Sequence, residues 1–412
     1  MAKRVSLSFK ETGVDAITLA GKVRLSRVQR AEVSANLPNT NVQELGSNKY
    51  VGRLFDLPEV TATVSAMDVG ARNVFTLAGR NWATAPSGSF VEAQDIQYVC
   101  LAQTFKSQGN DDIARTLWIP GSKLERFSLN YSVGGDATEE FSFNSTNRRW
   151  LKYDVALASG TVTASGTLAF TPAARPLKDG RYFLSAFASG TGYLPMETIT
   201  ASTANSVTFD DTVAPGTPVV VAYHTDLSNQ WDYTYEYAHV APGYTPAPDQ
   251  PVGVRGFGVE VYLTKSGQTN NRIYRAQTVT LQGQYPNTRV NELGSEEVVG
   301  YMDGIPDVTG TIEILTHDFR LQEQLSGDID GNEDNFDPNE LGTGDWGLLI
   351  KIFRRGVDRA TFGPEKTVYV PMLDVTQDQN SSQVGQDHRQ TFNIASRSGE
   401  VYFYKGNFNP WA

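Results

Sequence analysis

Asp328-Ile329-Asp330-Gly331-Asn332-Glu333-Asp334 spaces oxygen ligands at alternate positions as a calcium loop does. It lacks glycine at the sixth place and glutamate at the twelfth, so it reads as an acidic loop rather than a cation site. Adjacent carboxylates, Glu139-Glu140 and Asp210-Asp211, offer the acid and base of a glycosidase, but neighbours on a strand point to opposite faces and share no site. His224, His239, His317 and His388 lie far apart, outside any metal-ligand spacing. The sole cysteine, Cys100, sits in the apolar stretch Ile96-Gln97-Tyr98-Val99-Cys100-Leu101, where burial is expected and no intrachain disulfide can form. Asn144-Ser145-Thr146 fits a glycan acceptor, which has no use without secretion. No nucleophile elbow, phosphate loop or dinucleotide fingerprint is present. We therefore expect no enzyme, no cofactor and no bound metal.

Trp118, Trp150, Trp231, Trp346 and the run Tyr233-Thr234-Tyr235-Glu236-Tyr237 offer a sugar-binding platform, or one side of a packed or inter-subunit sheet. The formal net charge of -11 argues against tight binding to a phosphate backbone. Met1-Ala2-Lys3-Arg4-Val5-Ser6 has basic residues with no apolar core behind them, and no stretch approaches the roughly 18 apolar residues of a membrane helix. A cytoplasm-like setting without a membrane partner is expected.

The elements that must position any site are written twice. Pro38 to Ser47 reads Pro-Asn-Thr-Asn-Val-Gln-Glu-Leu-Gly-Ser, and Pro286 to Ser295 repeats eight of its ten residues. Val51-Gly52 and Pro58-Glu59-Val60-Thr61 return as Val299-Gly300 and Pro306-Asp307-Val308-Thr309, each 248 positions on. Pro120, Gly134, Asp136 and Phe141 return as Pro371, Gly385, Asp387 and Phe392, 251 positions on. Solenoid and propeller periods are only about 20 to 50 residues, so this spacing implies two complete domains.

Plentiful Thr, Val, Tyr, Phe and Gly predict a mainly β chain. Lys22 to Val28 alternates as a half-buried strand, with Gly258 to Leu263 as its counterpart. Further strands are predicted at 29–37 and 277–285, and at 60–66 and 308–315. Pro-Asn-Thr reads as a turn, since Pro sets its own φ and Asn can bond the backbone beyond it. Residues 71–77 and 317–325 are the helix candidates, with Gly79 and Gly327 placed to cap them at positive φ. Residues 159–225 have no counterpart and read as a small inserted β domain. Pro242, Pro246, Pro248 and Pro251 then stiffen a linker. The expected organisation is a first domain at 1–158, the insertion at 159–228, a linker at 229–253 and a second domain at 254–412.

The order strand, Pro-Asn-Thr-x-Val-x-Glu-Leu-Gly-Ser loop, Val-Gly, then Pro-Asp/Glu-Val-Thr strand resembles the tube-forming domain of the major tail proteins of tailed bacteriophages. The resemblance covers roughly 17–153 and 254–404 and leaves the insertion unexplained. It implies two tandem tail-tube-type β-sandwich or barrel domains, each with one short helix. It further implies a virion structural protein, assembled in the host bacterial cytoplasm, that forms stacked rings and contacts other tail proteins. Family rings hold six such domains, so a chain with two implies a trimer. DNA would pass without specific binding. The alternative is a β-rich binding module, an adhesin or carbohydrate-binding protein that uses the insertion and its aromatics.

On the tube reading, Pro38, Asn39, Val42, Glu44, Leu45 and Gly46, with Pro286, Asn287, Val290, Glu292, Leu293 and Gly294, form an assembly loop between subunits or rings; otherwise they shape an internal turn. Asp136, Glu139, Glu140, Asp303 and Asp307 are candidates for an acidic lumen wall or for pairing between rings, a like-charged wall being one that duplex DNA slides past. Solvated loop carboxylates are the other reading of these five.

Overall fold

The computed structural model describes residues 9–43, 50–55, 58–68, 70–96, 98–107, 113–145, 147–152, 155–169, 183–190, 192–194, 199–203, 206–224, 256–265, 270–290, 300–315, 346–354, 359, 363–381 and 388–410. The chain is mainly β and antiparallel throughout, with one α-helix among these residues.

The first segment runs β1 (Phe9–Thr18), β2 (Gly21–Arg24), β3 (Val28–Asn36), β4 (Asn39–Gln43), β5 (Tyr50–Phe55), β6 (Glu59–Met67) and α1 (Arg72–Leu77). It continues with β7 (Phe90–Glu92), β8 (Val99–Ser107), β9 (Ile113–Ser132), β10 (Thr138–Ser145) and β11 (Arg149–Lys152). An insertion follows: β12 (Val155–Thr161), β13 (Thr167–Ala169), β14 (Phe183–Ala188), β15 (Gly192–Leu194), β16 (Ile199–Thr203), β17 (Ser206–Phe209) and β18 (Pro218–His224). The last segment holds β19 (Val259–Lys265), β20 (Asn271–Arg272), β21 (Ala276–Gln284), β22 (Asn287–Val290) and β23 (Gly300–Asp303). It ends with β24 (Asp307–Leu315), β25 (Trp346–Ile352), β26 (Lys366–Ser381), β27 (Arg389–Ser396) and β28 (Tyr402–Lys405).

Alternation decides which side of each strand is dry. In β6, Val60, Ala62, Val64 and Ala66 are buried while Glu59, Thr61, Thr63 and Ser65 face outward, the period of two that a one-sided sheet requires. Eight such strands lie side by side in the order β3-β6-β10-β9-β21-β24-β27-β26. Behind them run two outer groups, β2-β1-β8-β9-β11 and β20-β19-β25-β26-β28. One hydrophobic core, including Val64, Phe141, Leu281, Val368 and Phe392, extends through both segments.

Apart from β7, which pairs with β28, the pairings of β1 to β11 thus recur in the same order among β19 to β28. Backbone irregularities recur with them. Arg27 (φ 55) and Arg275 (φ 60) stand 248 positions apart, and Gly121 (φ 49) and Met372 (φ 50) stand 251 apart. The second pair lets one long strand, β9 or β26, leave the outer group and enter the inner sheet. At Arg27 the chain makes the same crossing from the outer group to the inner sheet, and the strand expected over 22–28 is interrupted there: β2 ends at Arg24 and β3 begins at Val28. The positive φ at Arg27 redirects the chain between the two layers.

Helix α1 forms where its pattern predicts. Gly79 (φ 72) donates to the Thr76 carbonyl at 3.1 Å and Arg80 to that of Phe75 at 2.8 Å, a Schellman closure that needs a left-handed residue after the cap. The helix expected at 317–325, with Gly327, lies outside the described residues, as does the linker. The repeated Pro-Asn-Thr is not a turn. Pro38 and Pro286 break the chain between strands, since they donate no hydrogen bond, and Asn39 and Asn287 open β4 and β22. Both Asn side chains reach back, not forward: Nδ2 donates to the carbonyl of Leu37 at 3.3 Å and of Tyr285 at 3.1 Å.

The insertion is two small sheets, β12-β18-β14-β15 and β13-β17-β16, around Leu168, Val207, Phe209, Val219 and Val221. A boundary at residue 158/159 would cut β12, which pairs with β18 along its whole length; the unit begins at Val155. A second cluster, with Ile17, Cys100, Trp118, Leu184 and Phe187, docks it on the outer group. Cys100 is buried there, and desolvation pushes its thiol up to about 12, so it stays a neutral packing group.

Candidate functional site

The outer face of the eight-stranded sheet carries hydroxyls and amides in place of the apolar residues behind it. Cross-strand neighbours bond one another: Thr63 and Ser142 hydroxyls at 3.0 Å, Thr280 and Thr311 at 2.6 Å, and Asn393 to Gln377 at 2.7 Å. Its charges are interspersed. Arg30 meets Glu32 at 2.5 Å, Arg389 meets Glu313 at 2.5 Å, and Arg126 lies 3.8 Å from Glu140. With Glu59, Asp307, Glu125 and the Arg397–Asp374 pair added, carboxylates outnumber guanidinium groups on a mixed surface with a slight acidic excess. No cluster of cations among the described residues would hold a phosphate chain.

Sheet and core join the two segments at β9 and β21, and a second pairing, β28 with β7, sets Phe403 opposite Val91. Residues Arg126 to Ser132 of β9 pair with Gln284 to Thr278 of β21, burying Phe127, Leu129, Val279 and Leu281. Phe127 lies over Gly283, where a Cβ would collide with its ring, and packs edge-on against Phe403, with centroids 5.6 Å apart. Among the described residues, β3 and the C-terminal half of β26 have a strand neighbour on one side only.

The hairpin β22–β23 reinforces the same join. Asn144 donates to Asn287 Oδ1 at 3.1 Å, and the Arg289 guanidinium donates to the carbonyls of Pro58 at 2.8 Å and Ser145 at 3.2 Å. Lys123 pairs with Asp303 and stands over the rings of Tyr98 and Tyr301.

The assembly-loop candidates divide accordingly. Asn287 touches the other segment, Pro38 and Val42 are half-buried, and Asn39, Pro286 and Val290 are exposed. Glu44, Leu45, Gly46, Glu292, Leu293 and Gly294 lie outside the described residues. Among the acidic candidates, Glu140 and Asp307 stand on the polar face, Asp136 is exposed in the β9–β10 turn, and Asp303 is engaged by Lys123. Glu139 is corrected: it is completely buried on the core side, so it faces neither a lumen nor another ring. Adjacent strand positions alternate faces, which sends Glu139 inward as Glu140 goes outward.

Glu139 belongs to a buried cluster that sequence reasoning missed. Lys366 Nζ lies 2.5 Å from Asp68 Oδ2 and 3.2 Å from Glu139 Oε2, with all three side chains fully buried. Asn73 donates to Glu139 at 2.7 Å and the Tyr131 hydroxyl to Asp68 at 2.8 Å. Lys366 comes from β26 and its carboxylates from the first segment, some 230 to 300 residues earlier. No local spacing signals such a cluster.

Burial raises the Glu139 carboxyl to about 7; Lys366 opposes the shift and Asp68 adds to it. Its folded pKa lies above its unfolded value, so between roughly pH 4.5 and 7 the folded state holds a proton the unfolded state has released. This group therefore makes the protein less stable as pH rises through that window. In Glu139→Gln, urea titrations at pH 5 and pH 7 are expected to lose that downward slope. An unchanged slope would contradict the assignment.

Trp118 and Trp346 are buried, so neither contributes to an exposed aromatic platform, while Trp150 is exposed. Trp231 and residues 233–237 lie outside the described residues. No protein-family model and no curated protein matches this chain.

Proposed function

We propose that the chain is a tail-tube subunit, a virion structural protein whose copies close into rings and stack into the DNA-conducting channel of a phage tail. The observation that carries this is the join of β9 to β21. Two segments with the same order of pairings meet edge to edge and form one sheet with a continuous polar face and an open border at each end. The recurring pairings support reading 9–152 and 259–405 as two copies of one tube-type domain.

Open sheet borders expose unpaired N–H and C=O groups, a hazard that closure into a ring removes. Head-to-tail contact of one border with the other generates such a ring when the rotation closes. Six domains per ring, as the resemblance implies, takes three copies. The hydroxyl and amide face then lines the bore, where its slight acidic excess, with no cationic cluster among the described residues, lets phosphates pass without being held. The docked insertion lies on the outer layer, away from that face. Assembly takes place in the bacterial cytoplasm, and the tube ends meet other tail proteins.

The test is negative-stain microscopy with sedimentation analysis of the purified protein. Rings or tubes are expected, with a ring mass three times the 45.2 kDa of the chain. A protein that stays monomeric at tens of micromolar would sink the reading, and a monomer retained on immobilised glycans would favour a binding module.

A further inference from the structure

We infer that the junction between copies repeats the register of the junction inside the chain, with β26 of one copy pairing antiparallel to β3 of the next so that Gln379 stands opposite Ser34. This rests on the ring-forming reading and adds the contact residues.

The inner junction pairs Ser128 with Gln282 and Phe127 with Gly283. Both strands have counterparts aligned residue for residue, including their bulges. β9 and β26 each shift register against their neighbour at matching places, between Ser142 and Phe143 in one pairing and between Val375 and Gln377 in the other. β3 and β21 do so at Val28/Arg30 and Ala276/Thr278. Ser128 then corresponds to Gln379 and Gln282 to Ser34; the neighbouring pair is Asp378 with Ala35.

Burial supports the same contact. Val279 and Leu281 are 2% and 1% exposed under β9, whereas their counterparts Ala31 and Val33 remain half-buried with their apolar side chains on the core face. A second strand laid along β3 in this register would cover them as β9 covers β21. The outer border is also more polar than the inner one: Asp378 and Asn380 stand where β9 has Phe127 and Leu129. That keeps the border soluble in a free subunit, as suits a contact made after folding.

The experiment is oxidative cross-linking of Ser34→Cys with Gln379→Cys in the full chain, against the two-residue slip Ser34→Cys with Ser381→Cys. All three side chains are exposed on the polar face, and the native Cys100 is buried. Opposed strand positions have Cα atoms about 5 Å apart, within disulfide reach, and a slip of two residues takes them to about 7–8 Å. The matched pair is expected to give covalent dimers and trimers on non-reducing gels, about tenfold more than the slipped pair. Rings in micrographs with cross-links in the slipped pair, or in neither, would overturn the register and leave the ring reading standing. Absence of both rings and cross-links would overturn both.

Discussion

Lys366→Met is expected to lower the unfolding free energy by about 3–5 kcal/mol, the cost of leaving buried carboxylates without their cation. Asp68 and Glu139 are fully buried with Lys366 between them. Methionine fills the stem's space, which separates the charge from the cavity. Burial acts to lower the Lys366 pKa, but the two carboxylates win and hold it above the ordinary lysine range, so the ammonium is present at neutral pH. Urea denaturation at pH 7 reads the loss. The triple change Lys366→Met, Asp68→Asn, Glu139→Gln should recover part of it, because neutral amides cost less to bury than ions. A Lys366→Met loss under about 1 kcal/mol would mean the cluster is hydrated.

Phe127→Ala is expected to cost about 3–5 kcal/mol, the usual range for deleting a buried aromatic side chain. Its ring is completely buried over Gly283 and touches Tyr285 and Phe403 at centroid distances of 6.1 and 5.6 Å. Those partners come from the other segment, so the void opens at the junction. Gly283 leaves no side chain to collapse into it. Hydrogen exchange at β9 and β21 should rise before that of the core of either segment. Equal protection across the chain, or a stability loss under 1 kcal/mol, would show that the junction tolerates the void. On the ring reading, assembly should weaken with it, since a loose inner junction no longer fixes the angle between the two borders.

Helix α1 was legible because its stop signal is local: Gly79 supplies the left-handed residue that the Schellman closure needs. Strands β6 and β24 were legible because period-two alternation survives wherever one face stays dry. The turn at Pro38-Asn39-Thr40 failed for a physical reason. Pro and Asn mark a break in pairing, and both a turn and the start of a new strand satisfy that break. The interruption at Arg27 was hidden because Lys22 to Val28 keeps its alternation straight through a positive φ. Glu139 and Glu140 were correctly put on opposite faces, but which one faces inward depends on where the core lies.

Taken alone, the residues determined that the chain is mainly β, that the run from Pro38 to Ser47 recurs at Pro286 to Ser295, and that its strands have one dry side, because period, turn chemistry and repetition are properties of neighbours in sequence. Only the tertiary structure decided that the segments join at β9 with β21 and at β7 with β28, that Lys366 crosses between them to Asp68 and Glu139, and which strands keep a single neighbour among the described residues. Those contacts link residues from about 150 to 300 positions apart. Over such distances, pairing is set by shared burial and hydrogen-bond register, quantities that no single window of sequence contains.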